Sequence, residues 1–296
     1  MKKLVQCVPN FSEGRDIDKI EKIIECFRGK EDLKLLDYSY DADHNRCVVT
    51  LVGTPESVKA ALVVAFGKAK ELIDMTKHTG QHPRMGAVDV CPFIPIKNMD
   101  LAECDELAKD VAKTIHETHE MGFHFYEKSA RNTLRQNLAK VRKGEYEGME
   151  EKCQDPKWAP DLGEFRKDTG ITAIGARMPL IAFNVLLDTN NLEIATKISR
   201  AVRHLSGGLR FVKGIGIDMP ERGITQVSMN LTDYTKTPMY RVFELIKIEA
   251  KRYGVNVIGS ELIGLAPMDA FIQTTEYYFG IENLNYNQAL EKHLME

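Results

Sequence analysis

Hydrophobic residues in the first third of the chain alternate between the spacing of a strand and the spacing of a helix. Short apolar runs, or apolar residues at every second position, predict strands, whereas spacings of three and four predict helices. The predicted strands are Leu4–Val8, Leu33–Asp37, Cys47–Val52 and Val88–Ile96. The predicted helices run from about Asp16 to Phe27 and from Pro55 to about Ile73. The elements therefore follow in the order βαββαβ.

The last third of the chain repeats this order of elements. Its predicted strands are Leu180–Leu187, Leu209–Gly216, Ile224–Leu231 and Val255–Ile258. Its predicted helices are Leu192–Val202 and a segment from Thr237 to about Ala250. This succession is that of a ferredoxin-like split βαβ unit. We therefore predict an α+β protein of two ferredoxin-like subdomains with mixed or antiparallel sheets, divided as residues 1–178 and 179–296.

The region between the two repeats, from Lys97 to Arg177, has a weaker pattern. It predicts a helix from Leu101 to about Glu117, a short added strand at Phe123–Tyr126 and a short helix beginning at Asn137–Val141. The remainder contains the only tryptophan, Trp158. A long irregular connection in a compact enzyme is usually functional or mobile.

Composition narrows the class of protein. A chain of 296 residues can bury two cores, and its 40 basic and 43 acidic residues argue against nucleic acid as a partner. The sequence has no apolar run of membrane-spanning length and begins with a short strand rather than a signal peptide. The six cysteines lack paired metal-type spacing, and Cys7, Cys47 and Cys91 lie in apolar strands. We expect a cytoplasmic protein, with those three cysteines as small core residues.

The segment from His78 to Pro95 is the strongest candidate for a functional site. It places two imidazoles, a guanidinium, a carboxylate, two glycines and three prolines in a stretch without helical periodicity. Gly80, Pro83 and Gly86 shape a loop in front of a strand, where catalytic groups are often found. Asp89 interrupts the apolar strand and needs a partner if it is buried, either in bracing this loop or in capping the strand.

This segment, together with five others, resembles the formimidoyltransferase (formiminotransferase) family, and the resemblance covers essentially the whole chain. The matching segments are HTGQHPRMGAVDVCPFIP (78–95), CVPNFSEGR (7–15), DHNR (43–46), GAR with LIAFN (175–177 and 180–184), GITQVSMNLTDY (223–234) and GSELIGLAP (259–267). The resemblance implies two subdomains with substrate between them, and a homodimer. It also implies transfer of a formimidoyl group from N-formimidoyl-L-glutamate to N5 of tetrahydrofolate, without a cyclodeaminase domain at this length.

By this resemblance His82 is the catalytic histidine. The attacking N5 loses a proton and the departing glutamate nitrogen gains one, and one imidazole near its usual pKa of ~6.5 can do both. A neighbouring carboxylate would fix its tautomer. Some relatives carry a carboxylate at the position of Ser39, and many carry Glu at the position of Gln81, so the carboxylate that serves His82 is left open. The reaction needs tetrahydrofolate as co-substrate and no metal.

Other candidate substrate-binding or folate-binding residues come from the same resemblance, each beside a plainer interpretation. Asn10 and Ser12 follow a strand and could simply cap a helix. Asp37 could belong to a polar hairpin with Asp41, Asp43, His44 and Arg46. Arg84 suits either a substrate carboxylate or a carboxylate of the protein. The remaining candidates are Lys143, Glu147, Gly163, Gly170, Thr172, Arg177 and Gly214. Lys143 and Glu147 could equally be a solvated helix end. Trp158 could cover an apolar ring.

Several alternatives compete with this interpretation. His78 and His82 have the spacing of a zinc site, with Cys91 as a third ligand, but Gly80 and Pro83 disfavour the required helix. A histidine–cysteine nucleophile is disfavoured because Cys91 lies inside an apolar strand. Gly214–Gly216 lacks the third glycine of a dinucleotide-binding loop. Open alternatives are a folate enzyme that uses formimidoylglycine, formylglutamate or 5-formyltetrahydrofolate, and a folate-binding protein without catalysis.

Overall fold

The structure is a computed structural model that describes residues 2–294. It is a mixed α and β protein with two sheets and two compact units, one ending at Arg177 and the other beginning at Met178. Each unit is described by itself. Among residues 2–294, none of the helices is both long enough and apolar enough to cross a membrane.

The first unit contains seven strands and five α-helices. The strands are β1 (Leu4–Cys7), β2 (Asn10–Phe11), β3 (Leu33–Asp41), β4 (Arg46–Gly53), β5 (Val88–Lys97), β6 (Gly122–Phe125) and β7 (Ile171–Ala176). The helices are α1 (Ile17–Ile24), α2 (Pro55–Leu72), α3 (Leu101–His119), α4 (Leu138–Arg142) and α5 (Glu145–Lys152). Side chains cap α1, α2 and α3 at Asp16, Thr54 and Asp100.

All seven strands form one sheet. β1 and β2 are two parts of a single extended segment that lies between β4 and β5 and is antiparallel to both. β3 pairs with the far edge of β4, also antiparallel. On the other side, β7 pairs with β5 and β6 pairs with β7, both in parallel. The sheet therefore reads β3, β4, β1 with β2, β5, β7, β6 from edge to edge.

The main core of this unit lies between the sheet and α1, α2 and α3. Alternate residues of the strands point into it, so β4 buries Cys47, Val49 and Leu51 while their neighbours are half-buried. The expected burial of three cysteines is confirmed, since Cys7 and Cys91 are fully buried and Cys47 nearly so. This core also fixes the start of β5 at Val88, to which the loop of residues 78–87 leads.

The segment from Lys97 to Arg177 is more regular than its sequence pattern suggested. β7 was not predicted, and the structure makes it a fully buried strand in the interior of the sheet. A strand covered on both faces shows no alternation, which removes the periodic signal. The segment also carries α5, which packs near the loop of residues 78–87. There it contributes to a second apolar cluster of Met85, Val90, Tyr126, Val141, Met149, Ile171 and Ala173.

The second unit is a four-stranded antiparallel sheet with helices. Its strands are β8 (Ile181–Leu187), β9 (Val212–Met219), β10 (Ile224–Leu231) and β11 (Val257–Ile263), in the order β11, β8, β10, β9. Its helices are α6 (Leu192–Val202), α7 (Met239–Arg252), α8 (Met268–Phe279) and α9 (Leu290–Leu294). α6 and α7 pack on one face of the sheet around Val185, Val227 and Ile246.

Three details of the second unit differ from the prediction. β9 starts three residues later than predicted, and β11 continues through the polar residues Gly259, Ser260 and Glu261, where apolar alternation ends. The sequence analysis ended at the last strand and missed α8. Ala270 is the one buried residue of α8, and large apolar residues of this helix such as Met268, Phe271 and Phe279 are exposed.

Candidate active site

The loop of residues 78–87, called the His loop below, joins α2 to β5. It contains no helix, as Gly80 and Pro83 predicted. The turn between β3 and β4 holds its first half: the Asn45 side chain donates to the carbonyl oxygen of Thr79 (2.8 Å), and the Gln81 N–H donates to that of Asp43 (3.0 Å). Asn45 is itself buried, so the hairpin and the His loop form one packed structure.

The second half of the His loop is held by the segment that leads into β7. The Ile171 N–H donates to the carbonyl oxygen of Met85 (3.0 Å), and Gly86 forms a β-bridge with Gly170. Gly170 has a φ of +66°, and a Cβ there would lie 2.1 Å from the Met85 oxygen. Glycine is therefore required at position 170 by backbone conformation and by close approach. On the other side, the Ser12 hydroxyl donates to the Gly86 oxygen (2.8 Å).

His82 lies half-buried in this loop with its Nδ1 atom between two partners. The Arg46 Nη1 atom is 2.9 Å from Nδ1, and the carbonyl oxygen of Pro83 is 2.7 Å from it. Among the described residues, none forms a hydrogen bond with Nε2. Burial, followed by the positive charges of Arg46 and Arg142, lowers the pKa of His82 to about 4, against the opposing effect of Asp89 and the Pro83 carbonyl. The ring is therefore neutral at neutral pH.

Asp89 is the buried anion of this site. The register between β2 and β5 shifts so that Asn10 pairs with Val90 and Phe11 with Val88, which makes Asp89 the extra residue of a β-bulge. A bulge turns a polar side chain out of the alternation of an otherwise apolar strand. Here it places the carboxylate, which is 1% exposed, next to two guanidinium groups.

The carboxylate of Asp89 accepts hydrogen bonds from Arg46 Nη1 (2.9 Å), Arg142 Nη2 (2.5 Å) and the Met85 N–H (3.1 Å). Burial raises the pKa of the Asp89 carboxyl, but Arg142 and Arg46 outweigh burial and leave it below its usual value. Asp89 therefore has the partners that its position required, and it braces the His loop. The expected carboxylate beside the imidazole is replaced by a guanidinium: Arg46 stands between Asp89 and His82.

The predicted binding residues at the start of the chain separate into two groups. Asn10 and Ser12 lie at the site, since the Asn10 Oδ1 atom accepts from Arg46 Nη2 and Ser12 contacts the His loop. Both side chains are buried, and they position other residues. Asp37 lies exposed on β3, opposite Thr50, and within residues 2–294 it makes no side-chain contact with the His82 group.

Arg84 points away from His82 toward α5. Its guanidinium donates to both carboxylate oxygens of Glu147 (2.8 and 2.5 Å) and to Glu145 (3.1 Å), and its Nε donates to His78 Nδ1 (3.3 Å). The hydrogen bonds to Glu147 raise the pKa of Arg84. Arg84, Glu145 and Glu147 line an open cavity of about 510 Å³ together with Thr79, Gly80 and Gly144. Glu147 lies in the first turn of α5, as the plainer interpretation of a helix end expected. Carboxylates of the protein fill the fork that was predicted to bind a substrate carboxylate.

The other predicted residues are spread over the chain, away from His82. Lys143 follows α4, next to Arg142, and lines a second cavity of about 540 Å³ with Trp158. Gly163 packs against His116 at the end of α3. Arg177 lies at the end of the first unit, where its N–H donates to Phe93, well along β5 from the His loop.

Thr172 and Gly214 are the last of the predicted residues. Thr172 is fully buried and donates to the carbonyl oxygen of Val88 (2.6 Å), so its hydroxyl serves the sheet. Gly214 lies on β9 of the second unit. The first unit therefore gathers Asn10, Ser12, His82, Arg84, Glu147 and Gly170 around the His loop, and it leaves Asp37, Gly163 and Arg177 elsewhere.

Three residues that position the site were missed by sequence reasoning. Arg46 and Asn45 belong to the DHNR segment, which carried the family resemblance, but they were interpreted as a polar turn. Arg142 reaches Asp89 from α4 across 53 positions of sequence, and no local pattern predicts such a contact. An arginine directly before the apolar run of a predicted strand is the sequence signal that could have identified Arg46.

The zinc interpretation is not supported by these positions. The Nε2 atom of His78 lies 3.1 Å from the Asn45 carbonyl oxygen, and the Cys91 sulfur is buried 3.5 Å from that of Cys7. Across residues 2–294, no group of three or more His, Cys, Asp and Glu side chains is placed to hold a metal ion.

Comparison with known proteins gives consistent matches along the whole chain. Residues 4–177 match a family described as the formiminotransferase domain, N-terminal subdomain, and residues 182–295 match the formiminotransferase domain. The chain is 51% identical to a glutamate formimidoyltransferase of Streptococcus pyogenes serotype M1, with all of both chains covered. It is 40% identical to one of Thermoplasma acidophilum, covering 98% of this chain and 96% of that one. A formimidoyltransferase-cyclodeaminase of Dictyostelium discoideum is 43% identical, with 96% of this chain but 54% of that protein covered.

Proposed function

The chain belongs to the formiminotransferase family, and we propose from this premise that it is a glutamate formimidoyltransferase. It transfers the formimidoyl group from N-formimidoyl-L-glutamate to N5 of tetrahydrofolate, giving 5-formimidoyltetrahydrofolate and glutamate in histidine degradation. One observation carries the proposal: the 51% identity to a transferase of that name extends from end to end of both chains.

The reaction sets clear chemical demands. N5 attacks the amidine carbon, a tetrahedral intermediate forms, and the bond to the glutamate nitrogen breaks with its electron pair on that nitrogen. One proton must leave N5 and one must reach the leaving nitrogen. A single group that takes the first and returns it to the second meets both demands, and holding two substrates together supplies the proximity advantage.

His82 is the group that we propose for this proton transfer. Its Nδ1 faces protein partners, whereas its Nε2 has no hydrogen bond within the described part of the chain, so Nε2 is the nitrogen available to substrate. The pKa of His82, lowered to about 4, keeps the imidazole neutral and able to accept a proton at neutral pH. Once protonated, the His82 imidazolium is more acidic than that of an ordinary histidine, which favours release of the proton.

We also propose roles for the residues around the His loop. Arg84 and Glu147 line the cavity of about 510 Å³, and a substrate that binds there contacts the Glu147 carboxylate before it reaches the Arg84 guanidinium. Ser12 and Gly170 hold the His loop through Gly86, and Asn10 holds Arg46 beside it. We retain Lys143, beside Trp158, as a folate contact.

The remaining predicted substrate contacts stay proposals with less support from position: Asp37, Gly163, Thr172, Arg177 and Gly214. The burial of Thr172 argues for support of the backbone in its case.

The architecture completes the proposal. The strand order of the second unit, and the order β3, β4, β1 with β2, β5 in the first, support two ferredoxin-like subdomains. We propose that they are residues 1–178 and 179–296. We propose a cytoplasmic homodimer with tetrahydrofolate as co-substrate and without a metal. All six cysteines are free thiols, which fits a reducing compartment.

The test is a transferase assay with tetrahydrofolate and formimidoylglutamate, in which acid converts the product to its absorbing methenyl form. We expect turnover by the wild-type protein and none by His82→Gln, with tetrahydrofolate binding retained in both. Turnover by wild type only with formimidoylglycine, formylglutamate or 5-formyltetrahydrofolate would replace the donor. Binding without turnover of any donor would identify a folate-binding protein.

A further inference from the structure

The Nδ1 atom of His82 has two neighbours that cannot both be satisfied at once. Arg46 Nη1 is a donor at 2.9 Å and needs a lone pair on Nδ1, whereas the Pro83 carbonyl oxygen at 2.7 Å needs a hydrogen there. A neutral imidazole carries its hydrogen on one nitrogen only. Each contact therefore belongs to a different protonation state of the ring: Arg46 favours hydrogen on Nε2, and Pro83 favours hydrogen on Nδ1.

We propose that Arg46 is a positioning residue that competes with the Pro83 carbonyl for Nδ1 of His82, and so sets which ring nitrogen carries the proton. For catalysis this rests on the proposed function, because only the form with hydrogen on Nδ1 has a bare Nε2 that can accept a proton from N5. The inference about the ring itself rests on geometry alone.

Arg46 is held in place for this role by two acceptors other than His82. Its Nη1 atom also donates to Asp89 (2.9 Å), and its Nη2 atom donates to Asn10. The Arg46 side chain is 15% exposed and cannot swing freely into solvent. Arg142 shares the same Asp89 carboxylate but makes no hydrogen bond to His82 within the described residues. The two arginines therefore differ in how they act on His82: both act by charge, and Arg46 also acts by hydrogen bonding.

The groups that face His82 come from four elements. β4 contributes Arg46, the bulge of β5 contributes Asp89, and α4 contributes Arg142. The turn between β3 and β4 contributes His44, whose ring centre lies 5.9 Å from that of His82 in an edge-to-face arrangement. With two guanidinium groups and one carboxylate, the cluster has a net positive charge that opposes formation of the imidazolium.

The proton transfers balance within this arrangement. With Nδ1–H bound to Pro83, Nε2 takes the proton from N5 and the ring becomes an imidazolium. It then gives that proton from Nε2 to the donor nitrogen as the bond from carbon to nitrogen breaks, and the same neutral tautomer returns. Arg46 opposes the cation between these steps and thereby favours release of the proton. In the other tautomer, with Arg46 on Nδ1, Nε2–H can donate but cannot accept.

Two matched variants separate hydrogen bonding from charge. Arg46→Met and Arg142→Met each leave Asp89 with one guanidinium, so the buried carboxylate keeps a partner in both. The readout is nitrogen NMR of 15N-histidine-labelled full-length protein, with the His82 signals identified by their loss in His82→Gln. This measurement needs no turnover, so its result is independent of whether the proposed reaction is correct.

In Arg46→Met we expect the ring to shift to the tautomer with hydrogen on Nδ1, and its pKa to rise by at least about one unit toward its ordinary value. In Arg142→Met the pKa should rise while the tautomer ratio stays that of the wild type. If Arg46→Met does not fold, Arg46→Lys tests the tautomer shift alone, because it keeps the positive charge but not the forked geometry. An unchanged tautomer ratio in the Arg46 variant, or an equal change in the Arg142 variant, would overturn the proposal.

The pH profile of kcat/KM adds a readout on the enzyme. Since His82 must be neutral to accept a proton, the acid limb should follow its pKa and move to higher pH in Arg46→Met by the same interval that NMR gives. A profile that falls uniformly at every pH would instead show a merely structural role for Arg46. Absence of activity in the wild type would refute the proposed function and leave the NMR result standing.

Discussion

Replacement of Asp89 by asparagine removes the carboxylate that the largely buried guanidinium groups of Arg46 and Arg142 share. The side chain of Asp89 is 1% exposed, and those of Arg46 and Arg142 are 15% exposed each. Removing one partner of a buried ion pair costs about 3–5 kcal/mol because the remaining charge is left without compensation. The partial exposure of both arginines gives them some water, so we expect the lower end, about 3 kcal/mol. For a unit of this size that corresponds to a fall in Tm of about 6–12 °C.

The assay is denaturant unfolding followed by far-ultraviolet circular dichroism and by the fluorescence of Trp158, which lies in the same unit. The control is Glu71→Gln, which removes an exposed ion pair with Lys68 and should change the free energy of unfolding by less than about 1 kcal/mol. The double variant Asp89→Asn with Arg142→Met should recover part of the loss, because it removes one uncompensated charge. The reasoning is refuted if Asp89→Asn unfolds at the same midpoint as Glu71→Gln.

The pH dependence of the same difference follows from the lowered pKa of Asp89. A carboxyl whose folded pKa lies below its unfolded value of about 4 contributes its full stabilisation above that value. The contribution is lost as the pH falls through the folded pKa. The gap in unfolding free energy between wild type and Asp89→Asn should therefore be constant near neutral pH and close on acidification.

Three further predictions concern other parts of the first unit. Gly170→Ala should destabilise the protein by more than Gly29→Ala in thermal unfolding: both positions have positive φ, worth about 1–2 kcal/mol, but only the alanine at 170 meets a backbone oxygen of the His loop. Trp158 fluorescence should show a step centred near pH 8 that is absent in Lys152→Met, because burial lowers the pKa of Lys152 to about 8 and its ammonium lies 4.2 Å from the ring centre. Arg84→Lys should speed hydrogen exchange in the first turn of α5, because lysine cannot reproduce the forked contact with the exposed Glu147 carboxylate. The free energy of global unfolding should change by less than about 1 kcal/mol.

Elements with a clear period could be predicted from the sequence almost residue by residue. The bounds of α6 and of β10 match their predictions because each has one buried face and one exposed face. β7 could not be predicted, since burial on both faces removes the alternation on which a sequence pattern depends. α8 was missed for a different reason. Nearly all of its residues are exposed to some degree, so its apolar positions do not mark one buried face.

The His loop could be located from its sequence because an unusual concentration of polar groups, glycines and prolines is a local property. The contacts that govern His82 are not local. Arg46 lies 43 residues from Asp89, and Arg142 lies 53 residues from it. Sequence reasoning expected a carboxylate to touch the imidazole, as it does in many hydrolases. The β-bulge at Asp89 places Arg46 between this carboxylate and His82, and no local sequence pattern predicts that bulge.

The pairing of Gly86 with Gly170 has a consequence for the order in which the protein folds. The contacts of β7 with the His loop join distant positions: the bond from the Ile171 N–H to the Met85 oxygen spans 86 residues, about twice the span of early pairings such as Val49 with Pro9. Closing a longer loop costs more chain entropy, and contacts of high sequence separation form slowly. On the ribosome, the antiparallel strands can assemble while the partner of Gly86 is still unsynthesised. Pulse-labelling hydrogen exchange during refolding should therefore protect the Val49 amide before that of Ile171, so that the antiparallel strands form before the His loop is anchored.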